Sequence, residues 1–248
     1  WSAIMSFERF LINRRGVALS PEERLHLESA VSEVQSMEAH RILIEAGERV
    51  SVSTMLVKGF MARYLEDFSG MRQLVAVHVP GEFVDLHAYP MRELDHSIAT
   101  ITNAEIAIVP HVNLTRILEG HEALARKLWF STLLDAALHR AWLFRVGRLD
   151  AVGRIAHLFS EMKARLEAAG LGNGLTFHFP LTQAEVAEIC GLTSVHINRA
   201  LRHLREGGLS TFQNSIVTIQ NLPALSKRAQ FDPRYLYLKE VPNVSHRV

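Results

Sequence analysis

An α+β chain in two folded parts is predicted, and three textures along its 248 residues predict it. Short apolar runs punctuated by glycine fill residues 41–110. A long helical pattern covers 113–146. Beyond 150, two short helices flank a tight glycine turn and a small hairpin follows. At roughly 100–200 residues per domain, the length suits two domains. Hydrophobic residues make up 48% and charged residues 21%, a globular balance that disordered chains lack.

Taking the elements in order, Ser20, Pro21, Glu22 and Glu23 read as a helix start: a capping hydroxyl, proline at the first position, then acids in the first turn. The runs at 41–47, 55–59, 73–81, 97–102 and 104–110 read as strands. Their spacing suits an antiparallel sandwich or barrel, and no crossover helices interrupt them, so a parallel α/β sheet is disfavoured. In the long helix Leu124, Leu128, Leu138 and Trp142 lie at spacings of three and four with Ser131, Asp135 and Arg145, which resembles a coiled-coil seam. Asp150 suits the N-cap of a second helix over 151–169, ended by the glycine-rich 170–174.

Thr182 and Glu185 have the spacing of a capping box. A short helix then runs to Cys190, Gly191 opens a three-residue turn, and a second helix starts near Ser194 and runs to Glu206. Ala187, Leu192, Ile197, Leu201 and Leu204 fall on the inner face. The outward set is Ser194, Val195, His196, Asn198, Arg199, Arg202 and His203, polar and basic groups of the kind that meet base edges and phosphates. Residues 209–212 and 216–219 read as a hairpin wing. From Asp150 onward eleven Lys/Arg face eight Asp/Glu, a mild basic excess in a chain of net charge +1.

Three segments, in this order, resemble the Crp-Fnr family of bacterial transcription regulators: Pro80, Gly81, Glu82 and Phe83, similar to the opening of the family's phosphate-binding cassette; 149–156, similar to its hinge; and the winged helix-turn-helix. The resemblance spans roughly residues 20–225. It implies an N-terminal β-roll (cyclic-nucleotide-binding-like, a double-stranded β-helix) over 1–112 with a leading helix, a long dimerisation helix over 113–148, and a C-terminal winged helix-turn-helix domain over 149–248. It also implies a sequence-specific regulator that acts as a homodimer on an inverted repeat. The implied partners are double-stranded DNA, RNA polymerase and a small-molecule effector, with no membrane.

Carried over by residue, Arg199 matches the arginine that reads a guanine, whose O6 and N7 suit a planar fork. Val195 stands where the family often has glutamate and suits a thymine methyl instead. His196 and Asn198 are further base contacts. Ser194, Arg202 and His203, with Thr182 and Gln183 at the first helix's N-terminus, suit phosphates. In cyclic-nucleotide binders the cassette continues with an arginine–serine pair, and here Leu94 and Asp95 stand in its place, with Arg92 two residues earlier. His139 and Arg140 replace the pair that closes over adenine. The candidate effector pocket is therefore Gly81, Glu82, Phe83, Arg92, Leu94, Asp95, His139 and Arg140, and cyclic AMP is disfavoured, since leucine carries no charge and aspartate repels phosphate.

One cysteine excludes an iron–sulfur cluster within one chain, a disulfide framework and a four-cysteine zinc site. Cys190 reads as a small buried apolar residue. Thirteen histidines supply candidate haem ligands in His78, His87, His96 and His111, yet haem is disfavoured. No metal site is expected. No stretch reaches the roughly 18 uncharged apolar residues of a membrane helix; the most apolar, 128–146, contains Asp135 and Arg140. No signal segment opens the chain, so a reduced cytoplasmic protein is expected. An enzyme is disfavoured, with no phosphate-loop lysine, His-Glu-x-x-His or Gly-x-Ser-x-Gly. The alternative function is a ligand-binding or protein-interaction module whose C-terminal domain docks a protein. The segment from Lys227 onward, rich in aromatics at 231–237, reads as an apolar strap on that domain.

Overall fold

The structure is a computed structural model and describes residues 7–172 and 174–239. It divides into two compact units: residues 17–135 with 7–12, and residues from 136 onward with 13–16.

The first unit opens with α1 (Pro21–Ser29), whose capping box is complete: Ser20 and Glu23 each accept the other's backbone N–H. Then come β1 (Glu33–Met37), β2 (Ile42–Ile44), β3 (Val52–Lys58), β4 (Met61–Glu66), β5 (Arg72–His78), α2 (Ala88–Met91), β6 (Ser97–Thr100), β7 (Ala104–Pro110) and α3 (His111–Gly120). Every strand pair is antiparallel, in sheets ordered β1-β7-β3 and β2-β6-β4-β5. Successive residues of β3 and β7 serve different clusters. Met55, Val57, Ala107 and Val109 pack with Phe7, Phe10, Phe83 and Leu128, while Leu56, Ile106 and Ile108 pack with Met61, Val84, Leu94 and Ile98. Burial on both faces is why these strands read as unbroken apolar runs. β1 and β4 fell outside those runs, because β1 is half exposed and β4 carries a buried arginine, Arg63.

Gly81 sits at φ +95°, and a Cβ there would come within 2.5 Å of the Arg9 Cβ, so the turn after β5 admits glycine alone. The long helix α4 (Glu122–Arg148) passes from one unit into the other after Asp135. The sequence placed the boundary at 149. It falls earlier because Trp142 and Arg145, in the last turns of α4, are buried among second-unit residues.

The second unit continues with α5 (Ala151–Ala168), β8 (Thr176–His178), α6 (Gln183–Cys190), α7 (Ser194–Glu206), β9 (Ser210–Gln213), β10 (Ile216–Ile219) and α8 (Leu222–Ala229). Asp150 caps α5 through the Gly153 N–H at 2.9 Å. β8, which sequence reading missed, joins the wing in the order β8-β10-β9. The rings of Phe159, Phe179 and Phe212 meet within 5.7–6.2 Å.

Beneath them lies a buried polar network. The Glu161 carboxylate accepts from Trp142 Nε1 at 2.9 Å, Arg165 Nη1 at 3.2 Å and Tyr235 Oη at 2.7 Å. Burial works against its charge, yet Arg165 and Arg145 hold the carboxyl below the usual range. The segment beyond α8 packs on this domain as far as Lys239: Phe231 and Tyr235 lie against His157. Residues 13–16 then pair with it, Tyr237 O accepting from Arg15 N at 2.8 Å and Asn13 O from Lys239 N at 2.9 Å. Residues 240–248 lie outside the described residues.

Burial pushes His78 and His157 down to about 4 and His87 to about 3, and raises Asp85 to about 7. Below the ordinary histidine value near 6.5, the unfolded chain takes up three protons that the native histidines refuse. Asp85 acts oppositely, because its native form already holds a proton that the unfolded chain binds only near pH 4. Two protons net oppose folding, so stability falls by on the order of 1–3 kcal/mol per pH unit between about 6.5 and 4. Thermal unfolding across that range is expected to show the midpoint falling steadily; a flat profile would contradict it.

Candidate nucleic-acid interface

Local chemistry builds the two C-terminal helices. Thr182 Oγ1 accepts the Glu185 N–H at 3.2 Å, and Glu185 Oε2 takes the Thr182 N–H at 2.7 Å. Gly191 ends α6 at φ 59°, and its N–H returns to Ala187 O and Glu188 O. Thr193 caps α7. Two arginines from beneath hold the turn: Arg154 Nη1 donates to Cys190 O and Gly191 O at 3.1 Å, and Arg145 Nη2 to Ile189 O at 3.0 Å. Cys190 is buried, and burial raises its thiol to about 11, so it packs as an inert apolar group.

Ile197, Ala200 and Leu204 face inward. All nine predicted DNA contacts, namely Thr182, Gln183, Ser194, Val195, His196, Asn198, Arg199, Arg202 and His203, are exposed. Thr193 Oγ1 engages His196 Nδ1 at 3.0 Å, which directs the remaining ring nitrogen outward. Asn198 Nδ2 donates to Ser194 O at 2.8 Å, so its amide nitrogen is engaged within the helix. Arg199, Arg202 and Arg205 make no ion pair among the described residues. Gln183, Asn198, Arg202, Arg205, Thr211 and Gln213 line a cleft of about 270 Å³ between α6, α7 and β9. No carboxylate lines it, which suits a backbone phosphate. In the sequence Arg205 counted only toward the basic excess beyond Asp150, and Thr211 and Gln213 became visible once the wing was folded beside α7.

Within the first unit the predicted effector residues do not converge. Gly81 and Glu82 lie on the turn after β5, where Glu82 Oε2 accepts the Val79 N–H at 3.3 Å. Phe83 is packed between Phe7 and Phe10. Leu94 fills the core at 1% exposure, and Asp95 is exposed and pairs with His96 at 2.8 Å. Arg92 is committed to His111 Nδ1 at 3.2 Å and to the Tyr89 ring. His139 and Arg140 belong to the second unit.

The predicted seam is also displaced. Leu124 and Leu128 are buried in the first unit's core, Leu138 is half-buried, and Trp142 is buried against Glu161. The exposed stripe runs two positions ahead, through Trp129, Leu133, Arg140, Leu143 and Gly147, with half-buried Ala136 between.

A helix–turn–helix with a three-stranded wing and unpaired guanidiniums on its second helix defines a winged helix-turn-helix DNA-binding protein. Known proteins agree. Residues 153–228 match the Crp-like helix-turn-helix domain. The chain is 28% identical over 207 residues to the transcriptional activator protein FnrL of Cereibacter sphaeroides, covering 80% of this chain and 81% of that protein. It is 26% identical over 180 residues to a probable transcriptional activator of Rhizobium leguminosarum bv. viciae, covering 73% and 74%. It shares the fold of FixK2 from Bradyrhizobium japonicum, with a TM-score of 0.72 at 22% identity over 79% of this chain and 96% of that one. These likenesses mark the chain as a DNA-binding transcription regulator similar to the Crp-Fnr family, with a cyclic-nucleotide-binding-like N-terminal domain. Among the described residues no helix is long and apolar enough to cross a membrane.

Proposed function

We propose that this chain acts in the cytoplasm as a homodimer, reads an inverted-repeat promoter site through Arg199 and its neighbours, and recruits RNA polymerase under control of a small effector. The observation that carries the reading is the pairing of two surfaces: the unpaired guanidiniums of α7 and the exposed stripe of α4. Trp129, Leu133, Ala136, Arg140, Leu143 and Gly147 alternate at spacings of four and three, the repeat of a self-complementary two-helix seam. A second copy on that stripe gives a twofold, and two recognition helices about 34 Å apart then meet successive major grooves.

Binding to an inverted repeat over a salt series tests it. Phosphate contacts give a steep fall of affinity with salt, roughly 0.9 in the logarithmic slope per phosphate. A flat salt response would point to a protein-docking domain instead. Leu133→Glu places a like charge on both sides of the seam. Sedimentation is expected to show the mass falling from two copies to one, together with weak binding to the full site. A Leu133→Glu chain that remains dimeric would remove α4 as the seam.

A further inference from the structure

The first unit buries a cluster of ionisable groups that DNA binding does not use. At its centre is Arg63 of β4, 3% exposed, whose Nε donates to Val84 O at 2.7 Å and whose Nη1 donates to Asp135 Oδ2 at 2.6 Å. His78, His87 and His96 surround this pair, each within electrostatic reach of both Arg63 and Asp135. The rings of His87 and His96 are 5.2 Å apart. His96 Nδ1 is bonded to Asp95 at 2.8 Å. Both nitrogens of His78 and the Nε2 atoms of His87 and His96 are buried without a hydrogen-bond partner. Glu82 lies 3.4 Å from His78 Nδ1, and Asp85 accepts the Thr54 N–H at 2.5 Å.

Buried polar atoms are almost always satisfied, so four imidazole nitrogens left open around one guanidinium need a chemical reason. Burial keeps these histidines neutral at neutral pH, and each then holds one N–H; His96 spends its own on Asp95, while His78 and His87 have theirs to offer. A guanidinium with imidazole N–H donors beside it makes a receptor for a small carboxylate, the part that Asp135 plays here. No group of three His, Cys, Asp or Glu side chains among the described residues is arranged to hold a metal ion. Asp135 reaches the cluster from α4 with its side chain 24% exposed, so the position is open to exchange from solvent.

We infer that the Arg63 cluster is a binding site for a small carboxylate ligand, and that Asp135 is its tethered occupant. A ligand that takes Arg63 releases Asp135, the residue next to Ala136 of the exposed α4 stripe. Of the residues expected to bind an effector, Glu82 and Asp95 reach this cluster, through His78 and His96. The site stands independently of DNA binding; its link to transcription rests on the reading above.

Acetate is the probe. Thermal unfolding of the full chain, in acetate against chloride at equal ionic strength and pH 7.5, is measured for wild type, Asp135→Ala and the double variant Arg63→Gln/Asp135→Ala. Removing the tethered carboxylate leaves its place to acetate. Asp135→Ala is expected to gain about 3–6 °C at ten times the dissociation constant, and the gain goes on rising with the logarithm of the acetate concentration. Wild type gains less, since acetate must displace Asp135, and the double variant gains nothing. An equal response to acetate and chloride in Asp135→Ala, or an acetate response that survives loss of Arg63, overturns the site. Should Asp135→Ala fail to fold, carbon-13 acetate line broadening by the wild-type chain replaces the melt. Broadening that Arg63→Gln abolishes supports the site, and broadening that is absent or unaltered overturns it.

Discussion

Arg199→Ala is expected to abolish sequence discrimination while leaving most salt-dependent DNA binding in place. The guanidinium is exposed on α7 and makes no ion pair among the described residues, so it is free to fork onto a guanine edge. A good bidentate pair contributes roughly 1–3 kcal/mol of discrimination, about 5- to 150-fold per half-site, and a symmetric site counts it twice. Arg202 and Arg205 beside the wing cleft still meet phosphates, so non-specific affinity and its salt slope should change little. Competition between the inverted repeat and bulk DNA reads both quantities at once. Specific and non-specific affinities falling together would mean that Arg199 holds a phosphate. Arg199→Lys is a sharper variant: it keeps the charge and loses the planar fork, and is expected to lose most of the discrimination too.

Glu161→Ala is expected to have the largest effect on folding. Its carboxylate is fully buried and is the common acceptor for Trp142 of α4, Arg165 of α5 and Tyr235 of the C-terminal segment. Without it, Arg145 and Arg165, both at most 2% exposed, lose the anion that offsets their burial. Breaking such a set by removing one partner costs about 3–5 kcal/mol. Glu161→Gln keeps an acceptor and loses the charge, so it should fall between alanine and wild type. Tyr235→Phe removes one bond to a charged group, about 1.5–3 kcal/mol. Denaturant midpoints of the three variants should rank in that order of loss. A Glu161→Ala chain within about 1 kcal/mol of wild type would show that the arginines find solvent without it.

What could be read from the sequence was whatever its own neighbours decide. Thr182 with Glu185, Asp150 with Gly153, and Gly191 are local devices, each satisfied within three or four residues, and they located the helix–turn–helix closely. The wing was legible for the same reason. Which stripe of α4 stays exposed was not. Two stripes on that helix share the same alternation, and periodicity cannot say which one faces inward. That decision belongs to distant residues: the β-domain core claims Leu124 and Leu128, and Glu161 claims Trp142. The effector pocket failed similarly. Leu94 is needed to fill a core and Arg92 is engaged by His111, while the groups that do cluster, Arg63, His78, His87 and His96, come from segments with no shared motif. Arg63 in the middle of β4 even disguised that strand.

The pairing of residues 13–16 with the segment ending at Lys239 bears on how the chain is made. Asn13, Arg14 and Arg15 leave the ribosome more than two hundred residues before Leu236 to Lys239, which pair with the Asn13 and Arg15 backbone and the Arg14 and Arg15 side chains. Contacts of such separation close last, after local structure has formed. A nascent chain halted at residue 230 would hold a formed helix–turn–helix above a Glu161 lacking Tyr235. The DNA-binding domain therefore completes its core only once residues 235–239 have been made, and a chain interrupted before them should be a loose substrate for proteases instead of a competitor for promoters.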